Sequence, residues 1–322
     1  MNCVRVVAPA TTANLGPGFD VLALALTLYD EIELACSRPL PCADTRAARK
    51  AIRDLALEVE INGEGADSLP KDKKNLVFRA AAEVFLRARL VPKQAKLHLE
   101  NNIPLARGLG SSAAATVGGL LAANRLCRRA LSDSDLLRIA TDLEGHPDNV
   151  AATFLGGLTA ALTTEEGPQA IRMPLKDRYR CVAAIPSFEL RTIVARKHLP
   201  SRISRADAIF SLSREAVLCG LLAQGAHEGL AEAMKDRLHQ PKRAELIPGL
   251  MQAIEGANAA GASGAALSGA GPTVIALIPK SDEMLSKRVS YAMEFAFRRA
   301  RVEARTLTLD IDMRGACASR KS

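Results

Sequence analysis

A glycine-rich segment at residues 104–115, PLARGLGSSAAA, carries the residue types most suited to chemistry. It follows a predicted strand and opens an alanine-rich helix. Glycines let a backbone approach an anion closely, and the first amides of a helix attract phosphate. Gly108 and Gly110 alone would more often mark a tight turn, but the two following serines can cap the helix or ligate Mg²⁺. The segment therefore predicts a phosphate site.

Two common nucleotide motifs do not fit this segment. Gly108, Gly110 and Ala113 match G-x-G-x-x-A, yet a dinucleotide fold needs an acidic residue at the end of the next strand, about twenty residues on. Here the following region is predicted to be helical. A Walker A sequence, G-x-x-x-x-G-K-[ST], occurs nowhere in the chain. The sequence therefore favours a nucleotide site of another kind.

Three other segments place polar groups at turns. In residues 9–20, PATTANLGPGFD, a Gly-Pro-Gly turn holds the Asn14 amide and the Asp20 carboxylate on either side of a loop. Residues 144–157, EGHPDNVAATFLGG, gather Glu, His, Asp and Asn at a predicted junction between two helices. Residues 267–279, LSGAGPTVIALIP, form a glycine loop between two strands. Taken singly, each segment is explained as well by a turn, a helix cap or a hairpin.

Strand and helix patterns that must position these segments occur throughout the chain. In the first half the strand patterns are at residues 4–8, 21–34, 57–61 and 96–100, and the helical patterns at 75–90, 112–129 and 132–143. Ser132 is the predicted N-cap of the last of these helices. Residues 36–55, rich in Pro and Arg, predict a surface excursion between two strands. The pattern restarts near Met173 with strands and helix pairs. This order predicts the α+β class with two domains, 1–174 and 175–322.

The composition excludes several classes of protein. With 48% hydrophobic and 24% charged residues, the 322-residue chain is globular. Its net charge of +8 is scattered, and eight Phe, three Tyr and no Trp offer few rings for stacking, so no nucleic-acid partner is expected. Seven cysteines without a C-x-x-C pair and the lack of a signal pattern fit the cytoplasm. The uncharged residues 256–279 contain polar groups and glycines, which predicts buried strands and no membrane span.

Together, and in this order, the four segments resemble the motifs of the GHMP small-molecule kinases. Within that family, TANLGPGFD, GHPDNVA, TIVARKHLP and PKRAELIPG resemble the branch that acts on homoserine. The similar pieces extend from about Val6 to Leu277, which is nearly the whole chain. The resemblance implies a two-domain GHMP kinase fold, with an N-terminal ribosomal-protein-S5-domain-2-like domain that binds ATP and a C-terminal ferredoxin-like α/β sandwich.

The resemblance also implies an activity. The protein would use ATP and Mg²⁺ to phosphorylate the side-chain hydroxyl of L-homoserine, giving O-phospho-L-homoserine for threonine biosynthesis. A homodimer is compatible with the resemblance, and neither nucleic acid nor membrane is implied. Two alternatives remain: another GHMP kinase, of the threonine or mevalonate type, and a catalytically silent family member that binds ATP.

Site residues follow from the same resemblance. Ser112 and Glu144 are implied as Mg²⁺ ligands, two oxygens suited to a hard cation. The residues implied at ATP are Asn75, Pro104, Leu105, Ala106, Arg107, Gly108, Leu109, Gly110, Ser111, Ser112, Ala113 and Ala114. Those implied at the substrate are Asn14, Asp20, His146, Thr192, Arg196 and Arg243. Without the resemblance, Arg243 beside Lys242 would be interpreted as a solvated surface arginine.

The resemblance also implies three residues that take part in the phosphoryl transfer itself: Asn149, Asp20 and Arg196. Asn149 falls where sister enzymes such as mevalonate kinase carry a catalytic Asp, and an amide cannot take a proton. Phosphoryl transfer has a loose transition state that needs mainly positioning and charge neutralisation. The hypothesis is therefore that no strong general base operates in this protein.

Overall fold

The alternating residues near the N-terminus form the two longest strands of the molecule. The structure is a computed structural model, and it describes residues 1–321. Strand β1 (Asn2–Asn14) pairs antiparallel with β2 (Gly18–Cys36). Inward side chains such as Val6 and Leu34 are fully buried, whereas Arg5 and Glu31 form an ion pair at 2.5 Å on the other face. This alternation is what the strand period of two requires.

This hairpin is the centre of a seven-stranded mixed sheet. Its other strands are β4 (Ala56–Gly63), β6 (Gln94–Asn101), β7 (Leu158–Thr164), β8 (Gly167–Arg172) and β13 (Cys317–Lys321). The order is β13-β1-β2-β6-β4, while β7 pairs with the first part of β2 and β8 pairs with β7. Only β4 and β6 are parallel among the pairs of the described residues. A separate short ladder joins β3 (Leu40–Pro41) to β5 (Leu90–Val91).

Five helices accompany the first sheet, and α3 is the central one. They are α1 (Thr45–Asp54), α2 (Leu76–Ala88), α3 (Ser111–Leu126), α4 (Asp133–Glu144) and α5 (Asp148–Leu155). Helix α3 packs so close to α2 that a Cβ on Gly119 would lie 2.3 Å from the carbonyl oxygen of Val77. The predicted cap of α4 is present, because Ser132 accepts from the Asp135 amide and Asp135 accepts from the Ser132 amide.

The second half forms a four-stranded antiparallel sheet. Its strands are β9 (Tyr179–Pro186), β10 (Gly264–Leu267), β11 (Val274–Pro279) and β12 (Ala304–Leu309). Their spatial order, β12-β9-β11-β10, is the 4-1-3-2 order of a ferredoxin-like unit. Helices α10 (Leu250–Ala259) and α11 (Glu283–Arg299) pack with this sheet in one hydrophobic core. The predicted α+β class and ferredoxin-like sandwich are confirmed.

Between β9 and α10 the chain forms four further helices. They are α6 (Thr192–Lys197), α7 (Arg205–Gln224), α8 (Leu230–Ala233) and α9 (Gln240–Ala244). The predicted division at 174/175 falls between β8 and β9, which belong to different sheets, while β13 returns to the first sheet. The division itself stays a prediction.

The excursion at residues 36–55 contains a helix that the sequence patterns did not predict. Helix α1 begins after Asp44, whose carboxylate accepts from the Ala47 amide at 2.7 Å. Residues 256–279 form the end of α10 and the strands β10 and β11, so the buried strands expected there are present. Within residues 1–321, no helix is long and apolar enough to cross a membrane.

The contact between α2 and α3 can be tested with one added methyl group. Gly119→Ala should lower the free energy of unfolding by about 1–3 kcal/mol, because the new Cβ meets a backbone carbonyl that cannot move alone. Gly220→Ala in α7 is the matched control, since nothing lies within 4 Å of its Cβ position. The control should be neutral or stabilising by up to about 1 kcal/mol. Urea denaturation measures both, and equal stability of the two variants would contradict the packing described.

Candidate active site

A cavity of about 490 Å³ receives residues from both halves of the chain. It brings together nearly all of the predicted site residues. Those on its wall are Asn14, Asp20, Asn75, the consecutive residues 104–112, Glu144, His146, Asn149, Thr192, Arg196 and Arg243. Ala113 and Ala114 are not on the wall, because the helical period turns them into the hydrophobic core, where both are fully buried.

The glycine-rich loop turns its carbonyl groups away from the cavity. The carbonyl oxygens of residues 106–109 each accept a hydrogen bond from elsewhere: from the Leu190 amide, the Thr273 amide, the Ser268 hydroxyl and the Thr11 amide, at 2.6–3.3 Å. In a trans peptide the next N–H points opposite to the C=O. The amides of residues 107–110 therefore point to the cavity side, where they can donate to an anion.

Two glycines are required by this close packing. Gly108 has φ +77°, and a Cβ on it would lie 2.2 Å from the Ser268 carbonyl oxygen. Gly110 has φ +71°, and its Cβ would lie 1.9 Å from Thr11 Oγ1. Gly110 is also the N-cap of α3, and no side chain caps the amides of the first turn. The loop and the helix start thus form one site for an anion.

The predicted metal ligands are in direct contact. Ser112 Oγ donates to Glu144 Oε2 at 2.7 Å, and Thr116 Oγ1 donates to Glu144 Oε1 at 2.8 Å. Within residues 1–321 there is no cluster of three His, Cys, Asp or Glu side chains that could cage a metal. A carboxylate and a hydroxyl beside an anion site do fit Mg²⁺, which takes few protein oxygens and completes its shell with phosphate and water.

Asp20 and Arg196 form a bidentate ion pair in the cavity wall. The two hydrogen bonds measure 2.7 and 2.8 Å, and they raise the pKa of Arg196. The Phe19 ring lies beneath Arg196, with 5.7 Å from the guanidinium carbon to the ring centroid. Asn14 fixes this loop, since its amide nitrogen donates to the Gly269 carbonyl and its oxygen accepts from the Asp20 amide.

Arg243 is buried, with 1% of its surface exposed, and is not the solvated arginine that its neighbour Lys242 suggests. Its Nη1 donates to the Gly269 carbonyl oxygen at 2.8 Å and to His239 Nδ1 at 3.1 Å, whereas Nε has no partner. Burial, with a contribution from Arg196, lowers the pKa of Arg243 to about 10. The arginine therefore keeps its charge, and its Nη2, which makes no hydrogen bond within residues 1–321, can donate to a ligand.

His239 supports Arg243 and was missed by the sequence analysis. Burial lowers its pKa to about 4, so the ring is neutral at physiological pH. Nε2 lies 2.7 Å from the Gly16 carbonyl oxygen, which can only accept, so Nε2 carries the proton and Nδ1 accepts from Arg243. The ring also stacks on Phe19 at 5.1 Å. His239 thus joins the N-terminal turn to the arginine.

The junction between α4 and α5 is organised by Asp148. This carboxylate is buried, lies 2.5 Å from His146 Nδ1, and accepts from the Asn149 amide at 2.7 Å. Burial lowers the pKa of His146, but the hydrogen bond and charge of Asp148 outweigh burial, and the net shift is upward. Asn149 Oδ1 accepts from Thr11 Oγ1 at 2.7 Å, and Nδ2 donates to Asp148 Oδ1 at 3.4 Å. The second N–H of Nδ2 can donate to a ligand.

The remaining predicted residues on the cavity wall are Asn75 and Thr192. Asn75 caps α2 by accepting from the Val77 amide, and its amide nitrogen donates to the Pro70 carbonyl, so both ends of the side chain are engaged. Thr192 is exposed at the first turn of α6. Thr116 was missed, although its spacing of four residues from Ser112 places both on one helix face.

Two stretches of the chain match models of a known protein family. Residues 75–157 match the family described as GHMP kinases N terminal domain, and residues 219–298 match GHMP kinases C terminal. The chain belongs to the GHMP kinase family and is a kinase; members of this family use ATP.

Within that family its relatives include homoserine kinases. That of Carboxydothermus hydrogenoformans is 42% identical, with 97% of this chain and 96% of the relative covered, and that of Microchaete diplosiphon is 40% identical, with 98% and 97% covered. The crystal structure of homoserine kinase from Cytophaga hutchinsonii superposes with a TM-score of 0.84 at 27% identity, covering 99% of this chain and 98% of that one. The resemblance inferred from the motifs is confirmed.

The pairing of His146 with Asp148 predicts a titration. His146 should titrate above about 6.5, the ordinary histidine pKa. Because its pKa is raised in the folded state, the stability that the pair contributes is complete below about 6.5 and is lost as the pH rises through the folded value. Asp148→Asn should lower the His146 pKa, which NMR of the imidazole protons measures. His98, on β6, is the internal reference and should be unchanged; an unchanged His146 would contradict the pairing.

Proposed function

We propose that this protein transfers the γ-phosphoryl group of ATP to the side-chain hydroxyl of L-homoserine, giving O-phospho-L-homoserine and ADP. One observation carries the proposal: the amides of the glycine-rich loop and the Asp20–Arg196–Arg243 group face the same cavity. The names of the relatives support the choice of acceptor. By the same resemblance the reaction serves threonine biosynthesis in the cytoplasm. The location, a homodimer, and the absence of nucleic-acid and membrane partners stay predictions.

The charged groups of the cavity suit an amino acid. Asp20 and Arg196 satisfy each other in the structure, so a substrate that separates them must replace both partners. An α-amino acid does so, because its ammonium can pair with Asp20 and its carboxylate with Arg196 and Arg243. Mevalonate has no ammonium group and would leave Asp20 unpaired. L-Threonine has both charges but carries a secondary hydroxyl in place of the primary one, so it is the closest competitor in the acceptor panel.

The chain's own groups would act mainly by positioning. The loop amides hold the triphosphate, and Ser112 and Glu144 would hold Mg²⁺, which supplies charge neutralisation when bound. The homoserine oxygen forms a bond to the γ-phosphorus while the bond from that phosphorus to the bridging oxygen of ADP breaks. The hydroxyl proton is released to solvent. Asn149 would donate from Nδ2 to the reacting oxygens, and Asp20 would orient the substrate.

The decisive experiment is ADP release with a panel of acceptors. Wild-type protein should release ADP with L-homoserine and Mg²⁺, and much less with L-threonine, with mevalonate or without Mg²⁺. Ser112→Ala should lower kcat/KM about tenfold to a hundredfold, as for a lost metal contact. Ser111→Ala is the comparison and should lower it less, because that hydroxyl makes no hydrogen bond with Glu144 in the described chain.

Three outcomes would contradict the proposal or part of it. Strong preference for mevalonate would overturn the homoserine assignment. Calorimetry that shows ATP binding, with no turnover of any amino alcohol, would identify a silent family member. Equal activity of the two serine variants would remove Ser112 from the metal site.

The absence of a general base is a separate prediction. Asn149→Ala and Asp20→Asn should each lower kcat, because each removes a positioning contact; on this hypothesis neither residue accepts the substrate proton. The shape of the pH–rate profile should be the same in Asp20→Asn as in the wild type. A sharp acidic limb in the wild-type profile that vanished in Asp20→Asn would show that Asp20 is the base.

A further inference from the structure

Asp30, in the middle of β2, is a buried carboxyl group that the proposed chemistry does not use. Its exposed fraction is 2%, and it forms part of the cavity wall. Oδ1 accepts from the amides of Asn102 and Ile103 at 2.7 and 2.9 Å. Among residues 1–321 no group donates to Oδ2. Burial raises the pKa of Asp30 to about 6, so the group is mainly a carboxylate at neutral pH.

Asp30 lies at the end of the cavity where the glycine-rich loop begins. The anion site and α3 are at the other end of that loop, and Asp20, Arg196 and Arg243 form the acceptor side. Around the beginning of the loop the wall is mostly apolar, with Leu69, Pro70, Leu76, Val77 and Leu99. An apolar pocket next to a phosphate site, with a few polar groups, suits a flat nucleobase.

We propose that Asp30 Oδ2 accepts a hydrogen bond from the 6-amino group of adenine and so selects ATP over 6-oxo purine nucleotides. The inference rests on the proposed use of ATP. A carboxylate can only accept. Opposite a 6-oxo group two acceptors would face each other without water, which is costly for a buried charged group. A site built around a hydrogen bond rejects a ligand that cannot make it.

Asp30→Asn reverses the hydrogen-bonding character of this position without changing its volume. The Asn102 and Ile103 amides are donors, so they hold the oxygen of the new amide where Oδ1 is now. The NH₂ group must then take the place of Oδ2 and face the base. A donor there opposes the adenine amine and favours a 6-oxo group.

The test is equilibrium binding of MgATP and MgITP without any acceptor, measured by calorimetry. ITP carries a 6-oxo group in place of the 6-amino group. The preference for ATP over ITP should fall about tenfold to a hundredfold in Asp30→Asn. An unchanged preference would overturn the role of Asp30. If the wild type bound neither nucleotide, the use of ATP would fail first and this inference with it; failure of homoserine turnover alone would leave the binding test intact.

Two further measurements separate recognition from loop positioning. Asn102→Ala removes the hydrogen bond from Nδ2 to the Tyr29 carbonyl oxygen, at 2.8 Å, and loosens the same loop without altering Oδ2. It should weaken both nucleotides equally and leave their ratio unchanged. The second uses the wild type alone: purine riboside triphosphate, which lacks the 6-amino group, should bind about tenfold more weakly than ATP. Equal binding would overturn the proposal even if Asp30→Asn did not fold.

Discussion

Four consecutive carbonyl groups of the glycine-rich loop are anchored outside the cavity, and the rest of the site depends on this anchoring. Their donors come from β1, from the segment after β9 and from the loop between β10 and β11. With the carbonyls held there, the amides are aimed at the cavity before any ligand arrives, and little reorganisation is needed on binding. The same contacts leave no space for a side chain at Gly108 or Gly110. The proposed phosphate site therefore depends on contacts from both halves of the protein.

On the side of the cavity formed by Asp20, Arg196 and Arg243, neutral hydrogen-bond partners stabilise the charged groups as much as ion pairs do. Arg196 has a carboxylate partner, whereas Arg243 donates to a carbonyl oxygen and to the unprotonated nitrogen of a neutral His239. A protonated histidine would place two cations side by side, and burial prevents this by lowering the histidine pKa to about 4. Nη2 of Arg243, on the cavity wall, makes no hydrogen bond within residues 1–321, and this donor favours an anionic group of the ligand.

The sequence predicts the parts of the site that are local and misses those that depend on distant contacts. The glycine loop, the Gly-Pro-Gly turn and the Ser132 cap are set by neighbouring residues, so pattern and resemblance are enough to find them. Ala113 and Ala114 belong to the motif but face the core, as a helical period starting from Ser112 would have indicated. Asp30 accepts from an amide 72 residues away, and His239 Nε2 donates to a carbonyl oxygen 223 residues away; no spacing rule connects either pair. The N-cap of helix α1 is Asp44, but the prolines and arginines around it favoured the prediction of an irregular segment.

The pairing of β13 with β1 affects how the protein folds during translation, because β13 is the last strand to be synthesised. Until that strand emerges from the ribosome, one edge of β1 has no strand beside it, and unpaired edges invite association with other chains. At about 5–20 residues per second the wait is roughly 15–60 s. During this time the edge of β1 in the first sheet stays unpaired. The ferredoxin-like unit can therefore be completed before the first sheet, although the first sheet begins earlier in the chain. Chaperone dependence during translation would be expected to concentrate on this edge.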